Sequence, residues 1–290
     1  MSNPEEQLAL DVRRSYSDML NRHGYGFQYS VLNLAHELSN SGESSWGFLV
    51  SEFPVEVRGA GTRIDFVLRR RGETHFLLLA ECKRANPALS NWCFARAPYV
   101  YRNKPENLEP VIMEHAEIRY DTVVTADARE RWSAHNPCHI GLEVRSNMRG
   151  DAKGESGRAI EDACSQVLRG LNGMVDLLFR HRHILANWRR ADFLPVIFTT
   201  AGLWLSEVEL TSAELESGNV DLTRSNFTRQ PWVCYQYHQS PGIKHSASPI
   251  NISSDLGLLI KSEYIRTIPI VSPEGIAPFL RWASELDFIE

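Results

Sequence analysis

The sequence has little cysteine and none of it in metal-ligand spacing. Cys82, Cys93, Cys138, Cys164 and Cys234 are odd in number and form no C-x-x-C pair, which argues against both a zinc ribbon and a disulfide framework. His181 and His183 have no matching cysteine or carboxylate cluster nearby and fall short of a zinc motif. Long apolar runs are also missing. The longest, including Phe76 to Ala80, fall well below the roughly 20 residues that span a bilayer. The opening Met1 to Glu6 has neither the basic nor the apolar region of a secretory signal, so a cytoplasmic location without membrane contact is expected. An excess of basic charge is absent too: 31 Lys and Arg stand against 36 Asp and Glu, a net charge of −5 with a pI near 6.1. Such a chain offers no broad cationic surface, and contact with phosphates must come from local patches. The Gly150 to Gly157 loop lacks the lysine-hydroxyl order of a P-loop and receives no nucleotide role.

What remains is an ordinary globular composition, 290 residues with 43% hydrophobic and 23% charged, enough for one elaborated domain. Leu8, Val12, Tyr16, Met19 and Leu20 have helical spacing, broken at Gly24. A second helix follows around Val31 to Leu38, then a strand from Phe48 to Val57 in which Pro54 points to an edge or a bulge. Ile64, Phe66 and Leu68 alternate with Arg63, Asp65 and Val67, and a glycine-bearing turn leads to Phe76 to Ala80, apolar at every position. The first pattern predicts a strand; the second predicts a central strand covered on both faces. Further strands are expected at 139–145, 193–201, 203–210, 232–238 and 267–271, with a long helix around 160–178 and a last one over 273–286.

Charged residues at the end of a buried strand are costly without partners. Glu81 and Lys83 lie two apart and point the same way, with Cys82 between them facing the other side. Asp65, Glu81 and the carbonyl of Cys82 would offer hard oxygen donors suited to Mg²⁺. Lys83 would stand where it can orient a water or stabilise charge developing on a phosphate. Asp65 precedes Glu81-Cys82-Lys83 by 16 residues, a pattern that resembles the D…E-x-K signature of the PD-(D/E)xK nuclease superfamily, the restriction-endonuclease-like fold.

The resemblance covers about residues 29 to 206 and implies an α/β core with a mixed central sheet flanked by helices. Residues 1–28 would then be an N-terminal helical extension, and 207–290 a C-terminal elaboration packed on the core. It implies a Mg²⁺-dependent phosphodiesterase, with Mn²⁺ a possible substitute, acting as an endonuclease on nucleic acid and on DNA in particular, in bacterial genome or antiphage defence. Family members often add a glutamate on a preceding helix and a glutamine on a following one, positions that Glu37 and Gln166 would fill. Ile64 stands where the motif often has proline, and Gly170 where one subgroup has tyrosine. Glu56 is a competing acidic ligand. Arg69, Arg70 and Arg71 at the hairpin, Arg84 after the strand, and the arginines between Arg180 and Arg190 are candidate phosphate contacts. Trp92, Phe94, Tyr99 and Tyr101 would form either a base-stacking wall or an accessory core. The acidic balance suggests recruitment through a homo-oligomer or a partner subunit. A non-enzymatic binding or assembly subunit, an RNA-directed enzyme and a repair nuclease are the alternative readings.

Overall fold

A computed structural model describes residues 9–72, 75–96, 114–115, 121–122, 138–145, 158–181, 191–206, 216–219, 226–240, 242 and 265–285. The 150–157 loop, Tyr99, Tyr101, His183 and the arginines at 182–190 lie outside them. Two helices, α1 (Leu10–Arg22) and α2 (Tyr25–Asn40), precede a run of three antiparallel strands, β1 (Trp46–Val57), β2 (Ala60–Arg70) and β3 (His75–Lys83). Then follow β4 (Asn91–Arg96), the short pair β5 (Glu114–His115) and β6 (Asp121–Thr122), and β7 (Cys138–Val144). After them come α3 (Ala159–Arg180), β8 (Ala191–Thr199), β9 (Gly202–Ser206), β10 (Phe227–Gln230), β11 (Trp232–His238), β12 (Ile265–Val271) and α4 (Ile276–Ser284). Ten strands make one mixed sheet in the order β1-β2-β3-β8-β12-β11-β7-β4-β9-β10. No helix among the described residues is long and apolar enough to cross a membrane.

Alternation along β3 explains why every position from Phe76 to Ala80 is apolar. Leu77 and Leu79 point into one layer, where they meet Ala163, Val167 and Leu171 of α3. Phe76, Leu78 and Ala80 point into the other, against Val31, Ala35 and Leu38 of α2 and Phe279 and Leu280 of α4. A strand sandwiched between helices has no solvent face. Pro54 lies on β1, the sheet edge, and β1 also carries a register shift between Phe48 and Val50. Trp92 and Phe94 are fully buried in the α3 layer, which removes them from any base-stacking surface.

α3 approaches the β1–β2 hairpin closely because its facing residues are glycines. A Cβ on Gly173 would sit 2.7 Å from Cβ of Val55, and one on Gly170 would sit 2.9 Å from Cγ1 of Ile64. Gly173→Ala is therefore expected to cost about 2 kcal/mol of stability in urea unfolding, since a branched strand residue cannot rotate out of the way. An unchanged midpoint would show that the helix shifts freely. The N-terminus of α3 is fixed from the sheet: Oε1 of buried Glu143 on β7 accepts from the backbone N–H groups of Ala159 (2.5 Å) and Ile160 (3.2 Å).

Two expected boundaries fall elsewhere. α2 starts just after Gly24, whose φ of 76° ends α1, so a division at residue 28 would cut a helix whose buried face begins at Gln28. Among the described residues beyond 206, β11 and β12 lie within the sheet: β12 pairs in parallel with β8 and antiparallel with β11 in its middle. Parallel pairing needs a long crossover, so the distant segment that fills this slot carries no local mark of it.

Candidate active site

The β2–β3 ladder runs from Arg69↔Leu77 to Phe66↔Ala80 and stops there. At the next position Asp65 replaces a backbone acceptor with its side chain: Oδ2 accepts the N–H of Cys82 at 2.6 Å. β2 also turns over at this point. Phe66 and Leu68 belong to the α2 layer, whereas Ile64 packs under α3. The strands thus part at Asp65 and leave the end of β3 accessible from one side.

On its other side β3 stays paired with β8 through Lys83↔Thr199. The N–H of Thr200 donates to the Lys83 carbonyl (3.1 Å), and the hydroxyl oxygen of Thr200 accepts from the N–H of Ala85 (2.9 Å). The strand end is therefore held by backbone pairing along one edge and by the Asp65 side chain along the other. Glu81 and Lys83 project together, as period-2 alternation requires, with Nζ of Lys83 3.4 Å from Oε1 of Glu81. Lys83 also donates to Oε1 of Gln166 on α3. Cys82 faces the opposite layer.

Three of the carboxylates share this space with one ammonium. Burial pushes the Asp65 carboxyl up to about 6; the Cys82 N–H pulls against it, Glu52 adds to the rise and Lys83 opposes it. Glu81 is more buried, and burial followed by the neighbouring Asp65 charge lifts its carboxyl to about 8, against the pull of Lys83. Two carboxyls held this far above their usual range are short of positive charge. Among the described residues no group of three or more His, Cys, Asp or Glu side chains forms a metal cage. Mg²⁺ asks for less, because it keeps several waters and commonly takes only one or two carboxylates. Asp65 and Glu81, with the Cys82 carbonyl next after Glu81 in the chain, fit that requirement, and their need for a counter-charge is the feature that a cation would meet.

Gln166 is brought to Lys83, but Glu37 is not brought to the site. Glu37 is exposed and accepts from Asn33 Nδ2 at 2.7 Å within its own helix. The inward residue of α2 is Gln28, 3% exposed. Nine residues at about 100° each put Glu37 about 180° around the helix from it. Gln28 Nε2 donates both to Oε1 of Glu52 (2.9 Å) and to the carbonyl of Asp65 (2.8 Å). Glu52 on β1, which reads in the sequence as one of several outward residues of an edge strand, is the third acid of the site. Its signal was the hairpin register. Arg58 and Gly59 both have positive φ, at 49° and 82°, as a two-residue turn between paired Val57 and Ala60 demands, and counting back five pairs sets Glu52 opposite Asp65. Glu56 is exposed.

The triple-arginine turn lies at the other end of the hairpin. Arg69 pairs with Leu77, four residues before Glu81, or about 13 Å along the strand. The Arg70 guanidinium covers the Phe76 ring at 5.2 Å, and Nη1 of Arg71 donates to the Ser39 carbonyl at 3.4 Å, so two of the three side chains have structural employment. Arg84 is exposed beside Lys83 and donates from Nη1 to the Asn21 carbonyl at 2.6 Å, tying the end of α1 to the exit of β3.

Comparison with protein-family models, curated proteins and solved structures returned no match for this chain.

Proposed function

We propose that this chain is a cation-dependent phosphodiesterase acting on nucleic acid, DNA in the first instance, of the PD-(D/E)xK type. One observation carries the reading: Asp65, Glu81 and Lys83 converge where two strands part, with Glu81 buried, Asp65 half-buried and both carboxyls raised. Buried acids with strongly perturbed titration, set beside a lysine at an accessible strand end, are a costly arrangement for scaffolding and a useful one for catalysis.

Asp65 and Glu81 would hold Mg²⁺ or Mn²⁺, which supplies Lewis-acid polarisation of a phosphoryl oxygen and charge neutralisation. Lys83 is placed to orient the attacking water or to meet negative charge on the phosphate. Gln166 keeps the ammonium on the Glu81 side by accepting a hydrogen bond from it through Oε1. Arg84 follows directly along the chain and is the arginine best placed to meet a neighbouring phosphodiester. A role in bacterial genome or antiphage defence, with an oligomer or partner subunit recruiting the acidic chain to its substrate, completes the proposal.

The direct test is incubation of the purified protein with supercoiled plasmid and with a matched RNA, in Mg²⁺ and in Mn²⁺, beside Asp65→Ala. Wild type is expected to nick the plasmid and the variant to be at least about 10²-fold slower. Cleavage by both proteins at the same rate would remove Asp65 from the chemistry, and cleavage by neither under any cation would favour the non-enzymatic binding subunit; a preference for RNA would move the substrate but keep the site.

A further inference from the structure

We propose that Gln28 and Glu52 form a positioning clamp for Asp65, setting how the parted end of β2 stands against the Glu81 end of β3. This rests on the phosphodiesterase reading above and assigns two residues that the D…E-x-K pattern does not include.

Gln28 is the starting point. Its side chain is almost wholly buried, and a buried amide is costly unless its groups are bonded. Both bonds from Nε2 go to oxygen acceptors, the Glu52 carboxylate and the Asp65 carbonyl, so the amide is fixed with its NH₂ toward the strands. Asp65 is then held twice: α2 fixes its main chain through Gln28, and β3 fixes its side chain through the Cys82 N–H. Neither hold comes from the regular ladder between β2 and β3, which ends one residue earlier.

Glu52 is the second part. Pairing between β1 and β2 runs through Ser51↔Phe66 and resumes at Phe53↔Ile64, omitting Glu52 and Asp65. Glu52 has φ 52° in the middle of a strand, a region that non-glycine residues occupy only when their surroundings hold them there. Among the described residues the one other non-glycine case is Arg58, in the turn that calls for it. The departure at Glu52 brings its carboxylate to the Gln28 amide, while Oε2 lies 3.9 Å from Arg63. If the position served only the fold, glycine would suit it better than glutamate. A strained glutamate whose carboxylate accepts from the same amide group that donates to the Asp65 carbonyl is explained by what that amide holds.

The decisive variant is Glu52→Gly, which relieves the backbone and removes the clamp, compared with Glu52→Gln, which keeps an acceptor for Gln28. Plasmid nicking gives kcat and KM, water-proton relaxation gives Mn²⁺ affinity, and thermal melting gives Tm. For Glu52→Gly we expect Tm at or above wild type, KM within about twofold, kcat lower by about 10- to 100-fold and Mn²⁺ affinity weaker by about tenfold. Glu52→Gln is expected to recover most of both losses. Glu52→Gly with wild-type kcat and Mn²⁺ affinity overturns the clamp, as does a Glu52→Gln protein as impaired as the glycine variant, because then charge and not position is what Glu52 supplies. Wild-type protein that cleaves nothing defeats the phosphodiesterase reading instead; the clamp is then decided by the Mn²⁺ affinities, and equal values for wild type and Glu52→Gly overturn it.

Discussion

Glu81→Gln is expected to lower phosphodiester hydrolysis by about 10³-fold while raising the melting temperature at about pH 8. The two effects have one origin. Glu81 is 6% exposed at the end of a strand whose preceding five residues are apolar and buried, and its ionised form suffers from burial and from Asp65 beside it. Glutamine has nearly the same shape but no charge to desolvate, so it removes that penalty without opening a cavity. Lys83 is not orphaned by the change, because it keeps Oε1 of Gln166 as an acceptor and is itself partly exposed. What is lost is one of two carboxylates able to attract a divalent cation. Plasmid nicking and thermal melting on the same preparation check both halves. A variant that cuts at the wild-type rate would remove Glu81 from the machinery. A variant that is inactive and melts lower would mean that the Glu81–Lys83 pair is a net structural contributor.

The geometry of this candidate site was legible in the sequence to the extent that it depends on local rules. Alternation alone placed Glu81 and Lys83 together and Cys82 away from them, and the apolar run alone placed them at the end of a covered strand; both hold in the folded chain. Asp65 was legible from its spacing to Glu81 and not from alternation, because β2 turns over between Ile64 and Phe66. Glu37 was not, because the sequence of α2 does not specify which turn faces the sheet opening. The stripe Val31, Ala35 and Leu38 gives the buried face, but that face extends back one turn from Val31 to Gln28, a polar residue that helical periodicity counts against the core. Glu52 escaped for the complementary reason. On an edge strand an outward glutamate is the default, and the backbone departure at φ 52° accompanies its carboxylate's bond to the Gln28 amide. The position of 207–290 was illegible on other grounds: nothing local distinguishes an outer strand from one that inserts beside β8 across a long crossover.

In EDTA, stability should fall as pH rises from about 5 to about 8.5, by about 5 °C or more in Tm, and added Mg²⁺ should restore most of the loss at the upper end. The sign follows from the protons held by each state. Unfolded, Asp65 and Glu81 release theirs near 3.8 and 4.5; folded, they hold them to about 6 and about 8. Between those limits the folded chain binds more protons than the unfolded one, so raising the pH favours unfolding, and the stability fully present below about pH 4 is progressively lost as pH passes through the folded values. This runs opposite to the usual carboxylate, which is stabilised in its charged form by a partner. A cation that binds only the folded pair adds RT ln(1 + [L]/Kd), about 2.7 kcal/mol at a hundredfold excess over Kd, and acts best at high pH, where no proton competes for the carboxylates. The Asp65→Asn/Glu81→Gln double variant supplies the control: its Tm should be nearly flat over the same range and insensitive to Mg²⁺. A wild-type Tm that stays level or climbs with pH in EDTA would mean that the two carboxyls are solvated enough to ionise freely. The strand end would then lack the unmet negative charge on which a cation site depends.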